Sequence, residues 1–206
     1  MDRIRKFLTL AALLVFATAA AAALRAAWPL QESGRVRAVI ETELGEIEVE
    51  LDAERAPVTV ANFLRYVDAG YYTGGVFHRT VKLQPDNQPN NTVKIEVIQA
   101  GPNPGRKELF PAISLERTSK TDLRHVDGAI SMARLAPDTA QGDFFICIGD
   151  QPDLDFAGKR NPDGQGFAAF GRVVRGMEVV RKIHQSPVEA QRLTPPVKIL
   201  RVRRAG

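Results

Sequence analysis

Arg79 is the residue of this sequence best placed to do chemistry. It closes the segment Gly70-Tyr-Tyr-Thr-Gly-Gly-Val-Phe-His-Arg-Thr80, in which a Gly-Gly turn at 74–75 leads into a short apolar run. An arginine that leaves an apolar strand just after a tight turn is held by packing, which is how a chain presents a fixed guanidinium to a ligand. The other reactive residue types are poorly placed. Cys147 is the single cysteine and lies inside Phe144-Phe-Ile-Cys-Ile148, so it has no intramolecular disulfide partner and reads as a buried, inert thiol. His78, His125 and His184 are far apart and lack metal-type partners at short spacing. Local context suggests no Ser-His-Asp or Cys-His arrangement, although sequence leaves open one assembled at a distance. Gly164-Gln-Gly166 loosely matches a dinucleotide fingerprint, but it follows a turn and precedes a strand, so the strand-loop-helix context is missing.

The elements that would position Arg79 are mostly short strands. Arg35 to Glu41 and Gly45 to Leu51 read as a hairpin, the second strand alternating in Glu46-Ile-Glu-Val-Glu-Leu51. Pro57 opens a helix, with Val58, Phe63, Leu64 and Val67 on one face and Gly70 as the stop. A polar Pro/Asn-rich loop spans 84–92. Val93 to Ala100 then alternates, so that Ile95, Val97 and Gln99 share one face and Lys94, Glu96 and Ile98 the other. Ala112–Leu115, Gly128–Arg134, Asp143–Ile148, Phe167–Val174 and Pro196–Val202 read as further strands, and Gly176–His184 as a second short helix. Many short strands with only two helices indicate an antiparallel barrel or sandwich.

Composition narrows the function. Among 206 residues, 44% are hydrophobic and 25% charged, the balance of a globular domain. The net charge is +4, but residues 1–32 hold four basic and two acidic residues, leaving 24 basic against 22 acidic in the remainder. That is too balanced for an electrostatic nucleic-acid binder, and no nucleic-acid partner is expected. Arg3, Arg5 and Lys6 precede an uncharged stretch from Phe7 to Leu24 with several alanine cleavage possibilities, so residues 1–24 read as an export signal. The stretch also reaches the lower length limit for a membrane span, followed by Arg25 and Trp28. Cleaved signal and N-terminal anchor both stand, and either puts the folded domain outside the cytoplasm, periplasmic or on the outer side of the inner membrane. Residues 1–34 are set apart as this segment plus a linker, and 35–206 as one domain.

With these motifs in place the chain resembles the cyclophilins, peptidyl-prolyl cis/trans isomerases, from about residue 36 to 204. Three motifs carry the resemblance: Asn62-Phe63 through Gly70-Tyr71 to Phe77-His78-Arg79; Gly128-Ala-Ile-Ser-Met-Ala133 running to Gly142-Asp-Phe-Phe-Ile-Cys147; and Phe170-Gly171-Arg-Val173 followed by Gly176-Met177. The resemblance implies a mainly β fold, a closed eight-stranded antiparallel barrel capped by two α-helices. It implies that Arg79 is the catalytic arginine and Gln99 the glutamine that holds substrate backbone. Phe145 would floor the proline pocket, with Leu154 and Val97 in its wall, and Met132 and Ala133 would edge the groove for the residue before proline. His78 reads as a buried structural residue. No cofactor or metal is implied. The partners would be proline-containing polypeptides, with membrane contact only through residues 7–24 if these are retained, and a monomer is expected. A weakly active or inactive proline-peptide-binding or chaperone module on the same fold is the alternative. The chain departs from the family pattern in its 84–92 loop and in Glu96-Val97, which stands where Phe-Met is usual and would make the wall smaller and more polar. Asp153 stands where many members carry a tryptophan important for cyclosporin, and Phe167 near a position often occupied by histidine.

Overall fold

The computed structural model describes residues 34–205; the export-signal reading of residues 1–24 falls outside them. The elements are β1 (Arg35–Thr42), β2 (Gly45–Asp52), α1 (Pro57–Asp68), β3 (Val76–Val81), β4 (Val97–Gly101), α2 (Thr118–Thr121), β5 (Ala129–Met132), β6 (Phe144–Cys147), β7 (Ala168–Arg175), α3 (Met177–Gln185), β8 (Val188–Glu189) and β9 (Arg192–Arg204). All strand pairings are antiparallel, in the order β1-β2-β7-β5-β6-β4-β3-β9, and pairing of β1 with β9 closes the ring. The eight-stranded barrel is thus as expected. The two-residue β8 hangs on β9 outside the ring, and the four-residue α2 adds a third helix.

Alternation explains the barrel wall. In β2, Ile47, Val49 and Leu51 point into the interior and are fully buried, while Glu48 and Glu50 face outward and pair with Arg37, Arg175 and Arg35. The interior is packed by Phe63, Tyr72, Phe77, Phe144 and Phe170, with Phe144 edge-on to Phe63, Tyr72 and Phe77. Helix α1 closes one opening. Its inward stripe is Val60, Phe63, Leu64 and Val67, a regular i, i+3, i+4, i+7 set; Val58, expected on that face, is 44% exposed. The Ala56 N-cap has no hydrogen-bonding side chain to offer. The Glu116 carboxylate instead accepts from the Val58 and Thr59 amides at 3.1 and 2.8 Å, placing a negative charge on the positive end of the helix.

Helix α3 is preceded by Gly176, whose φ of +89° and approach to the Glu46 carbonyl leave no room for a side chain. The expected strand at Ala112–Leu115 is reduced to a single bridge between Ile113 and Ala140. Three prolines between 102 and 111 keep this stretch from running on as a ladder strand.

Candidate active site

Because side chains alternate along each strand, the face of the sheet turned away from the interior carries its own residues. Val81 on β3, Val97 on β4, Phe145 and Cys147 on β6 and Ala129 on β5 meet Ile95 and Leu154 in a second apolar cluster, with Ala133 and Phe167 against it. Above this cluster opens a cleft of about 350 Å³, lined by Arg79, Val97, Gln99, Ala133, Phe145 and Leu154 together with Ile95, Phe167, Arg134 and Arg160. Six of the seven expected site residues therefore converge. Met132 does not: one position from Ala133, it faces the barrel interior and is 1% exposed. Glu96 likewise leaves the wall unchanged, because it lies on the other face of the chain from Val97 and accepts from the Leu83 amide at 3.2 Å. A separate cleft of about 330 Å³, lined among others by Arg35, Glu50, Asp52, Arg55, Asp122 and Arg124, has each carboxylate already paired with an arginine.

Arg79 is oriented by two amide oxygens and no carboxylate. Gln191 Oε1 accepts from its Nε at 2.9 Å and Nη2 at 2.6 Å, and Gln99 Oε1 accepts from Nη1 at 3.0 Å. Of the five N–H groups of a guanidinium, these bonds leave one on Nη1 and one on Nη2 for a ligand. Burial, and then the nearby Arg160 guanidinium, hold Arg79 below the ordinary arginine range, but arginine stays protonated in proteins. Gln99 is fixed in turn by donating from Nε2 to Asp143 Oδ2 at 3.3 Å, an oxygen that also meets His78 Nε2 at 3.2 Å. His78, expected to be buried, has a side chain 37% exposed.

Gln191 was not visible as a site residue in the sequence. It follows Ala190, whose φ of 54° turns the chain between β8 and β9, and no motif marks it. The loop between β3 and β4 supports it, since Gln191 Nε2 donates to the Asn87 carbonyl at 3.0 Å and Asn87 Nδ2 donates back to Ala190 O and Thr80 O. Within that loop Gln88 is fully buried. Its amide donates to Lys82 O and Ile95 O and accepts from the Ile95 amide and from Arg160 Nη1. Arg160 Nη1 also donates to Val93 O at 2.6 Å. The loop that lengthens the link between Arg79 and Gln99 is thus tied to the arginine and to the cleft wall. On the opposite wall Arg134 is paired with Asp163 at 2.8 and 2.9 Å, bonded to Gly166 O and laid over the Phe167 ring.

Beneath Phe145 lies an arrangement assembled entirely at a distance. His125 Nδ1 is 2.7 Å from Asp155 Oδ1, and Nε2 is 3.0 Å from Ser131 Oγ. Asp155 is acceptor-only, so Nδ1 donates to it, while Nε2 and the Ser131 hydroxyl share the second hydrogen bond. The geometry is that of a nucleophile-activating triad. Ser131, however, is 0% exposed and its neighbours in the ladder are Phe145 and Ala169. Shut away from substrate, the three groups serve packing: the imidazole stacks on Phe145 with centroids 5.8 Å apart and planes 14° apart, while Phe167 meets the same ring edge-on. Cys147 is buried beside them, and burial pushes its thiol well above the ordinary range, so it is no nucleophile at neutral pH.

Comparison with known proteins identifies the family and the fold. A family model for cyclophilin type peptidyl-prolyl cis-trans isomerases matches residues 37–204. The chain is 37% identical over 152 residues to peptidyl-prolyl cis-trans isomerase A of Dickeya dadantii, covering 73% of this chain and 72% of that one. It is 32% identical over 169 residues to a peptidyl-prolyl cis-trans isomerase of Acinetobacter baylyi, covering 79% and 82%. Its fold is similar to the crystal structure of a Cryptosporidium parvum cyclophilin, with a TM-score of 0.67 at 21% identity over 84% of this chain and 98% of that one.

Proposed function

Since the chain belongs to the cyclophilin-type peptidyl-prolyl cis-trans isomerases, we propose that it accelerates X-Pro rotation in exported polypeptides, with Arg79 stabilising the twisted amide. Amide resonance sets a barrier of about 18–20 kcal/mol, and uncatalysed prolyl exchange takes tens of seconds or longer. In the twisted transition state the C–N bond loses double-bond character and the proline nitrogen gains a lone pair. A donor aimed at that nitrogen favours the twisted form over both planar ground states. The observation that carries this reading is the Arg79 guanidinium, clamped by Gln191 and Gln99 at the rim of a cleft floored by Phe145. Phe145, Val97 and Leu154 form an apolar seat for a proline ring. Gln99 is placed to hold peptide backbone, and Ala133 leaves space at the edge for the preceding residue. The chemistry needs no nucleophile, because no covalent bond is broken.

The test is prolyl exchange in a short Ala-Pro-Phe peptide, followed by NMR with residues 33–206, wild type beside Arg79→Ala. Acceleration that falls by about a hundredfold or more in the folded variant supports the reading. Slow exchange in both proteins, with peptide binding retained, would move the assignment to the proline-peptide-binding module. The export part of the proposal rests on the basic-then-apolar pattern of residues 1–24. Fusion of residues 1–34 to a reporter that is active only outside the cytoplasm tests it, and an inactive reporter would overturn it.

A further inference from the structure

Three arginines line the cleft, and only Arg134 among them is paired with a carboxylate. Arg79 and Arg160 both line it, and none of its lining residues is an aspartate or glutamate. Several arginines elsewhere in the barrel are neutralised, as in Arg35–Glu50, Arg201–Glu41 and Arg204–Asp68. Among the described residues, neither Arg79 nor Arg160 has a carboxylate within 4.0 Å; the carboxylate of the network, Asp143, is bonded to Gln99 and His78. Arg79 is committed to amide oxygens on all three nitrogens. Arg160 is held through Nη1 alone, by Gln88 Oε1 at 3.0 Å and Val93 O at 2.6 Å. Its fork is therefore positioned by the β3–β4 loop while Nε and Nη2 remain available to a ligand. Burial also holds Arg160 below the ordinary arginine range. Two like charges brought together in a partly desolvated cleft raise the affinity for an anionic group.

Building on the isomerase reading, we propose that Arg160 is a specificity residue that selects substrates with a carboxylate side chain on the residue following proline. The side follows from the walls. Ala133, the edge for the residue before proline, extends β5 on one flank of Phe145. Arg160 is tethered to the loop between β3 and β4 on the other flank, so a peptide seated on Phe145 runs from Ala133 toward Arg160. Arg134, the remaining arginine of the lining, is already satisfied by Asp163 and does not compete for the anion.

The experiment compares N-acetylated, C-amidated Ala-Ala-Pro-Glu and Ala-Ala-Pro-Gln, which differ in a single charged group. Prolyl exchange is measured by NMR at low and high salt. The expected result is a kcat/KM ratio of about three to ten in favour of glutamate at low ionic strength, shrinking toward one as salt screens the pair. In Arg160→Gln the ratio collapses to about one, and Arg160→Lys, which keeps the charge but not the fork, retains part of it. A ratio of one or less in the wild type overturns the proposal, as does a preference unchanged in Arg160→Gln. If Arg160→Gln does not fold, the wild-type salt series and the lysine variant decide. If neither peptide exchanges faster with protein present, the isomerase reading has failed separately, and the same peptide pair titrated for binding tests the carboxylate preference.

Discussion

Phe144 and Phe145 are neighbours in one four-residue strand, yet they belong to different machines. Phe144 faces the barrel interior, with edge-on aromatic partners around it and no polar group to satisfy. Phe145 faces outward onto the cleft, and its underside is a hydrogen-bonded imidazole instead of another hydrocarbon. The interior achieves rigidity by filling space. The outer cluster, small and open to a ligand on one side, achieves it with a directional network that fixes ring orientation. Stability is concentrated on one face of the strand and substrate handling on the other.

The largest effect should come from Phe144→Ala, with a loss of about 3–5 kcal/mol in urea unfolding, since the interior cannot collapse around the missing ring. Phe145→Ala should separate the two faces. It is expected to destabilise by less than Phe144→Ala while lowering kcat/KM by tenfold or more, as about 1–3 kcal/mol of apolar grip is lost. Equal stability losses for the two variants would break the comparison. Ser131→Ala removes the hydrogen-bond partner of His125 Nε2 and should cost about 1–3 kcal/mol, with a larger relative effect on KM than an interior change of equal cost. Rescue by Ser131→Thr, which keeps the hydroxyl, would sharpen the assignment to hydrogen bonding.

A smaller effect concerns acid. His184 on α3 bonds the Val81 carbonyl at 3.0 Å, and burial holds its pKa below the ordinary histidine value. The neutral ring's stabilisation is therefore complete above about pH 6.5 and is lost as pH falls from there toward the lower folded value. Asp52, whose pKa is also lowered, contributes above the ordinary carboxylate range and is lost only at lower pH. Urea midpoints from pH 7.5 to 5 should fall in the wild type, and the fall should flatten in His184→Gln. The smallest effect is chemical: the native Cys147 thiol should resist alkylation at pH 8 and react promptly in urea.

Much of this was legible in the sequence because strands write their two faces as alternation. Ile95, Val97 and Gln99 read as one face and line one cleft, and the Arg79 segment read as a strand leaving a turn. What stayed hidden depends on contacts between segments. Gln191 orients Arg79 across 112 positions of chain, from a turn whose composition marks nothing. Ser131, His125 and Asp155 are individually unremarkable and become a unit only when β5 and the loops around it fold together. Met132 and Val58 went astray differently: Met132 came with Ala133 from the family resemblance, although neighbours on a strand point to opposite faces, and Val58 lies off the helix's 3.6-residue stripe.

The seam between β1 and β9 carries a mechanical consequence. Ala38 pairs with Arg204, and the Ala205 amide donates to the Arg37 carbonyl at 2.9 Å, so Arg35 and Ala205 leave the ring at the same edge. Tension applied through these two points loads the ladder one residue pair at a time, as a zipper is loaded, and not all pairs together in shear. The ring is consequently weak to pulling along this one direction, while β3, β4, β5 and β6, which carry the cleft, bear no load until the seam has opened.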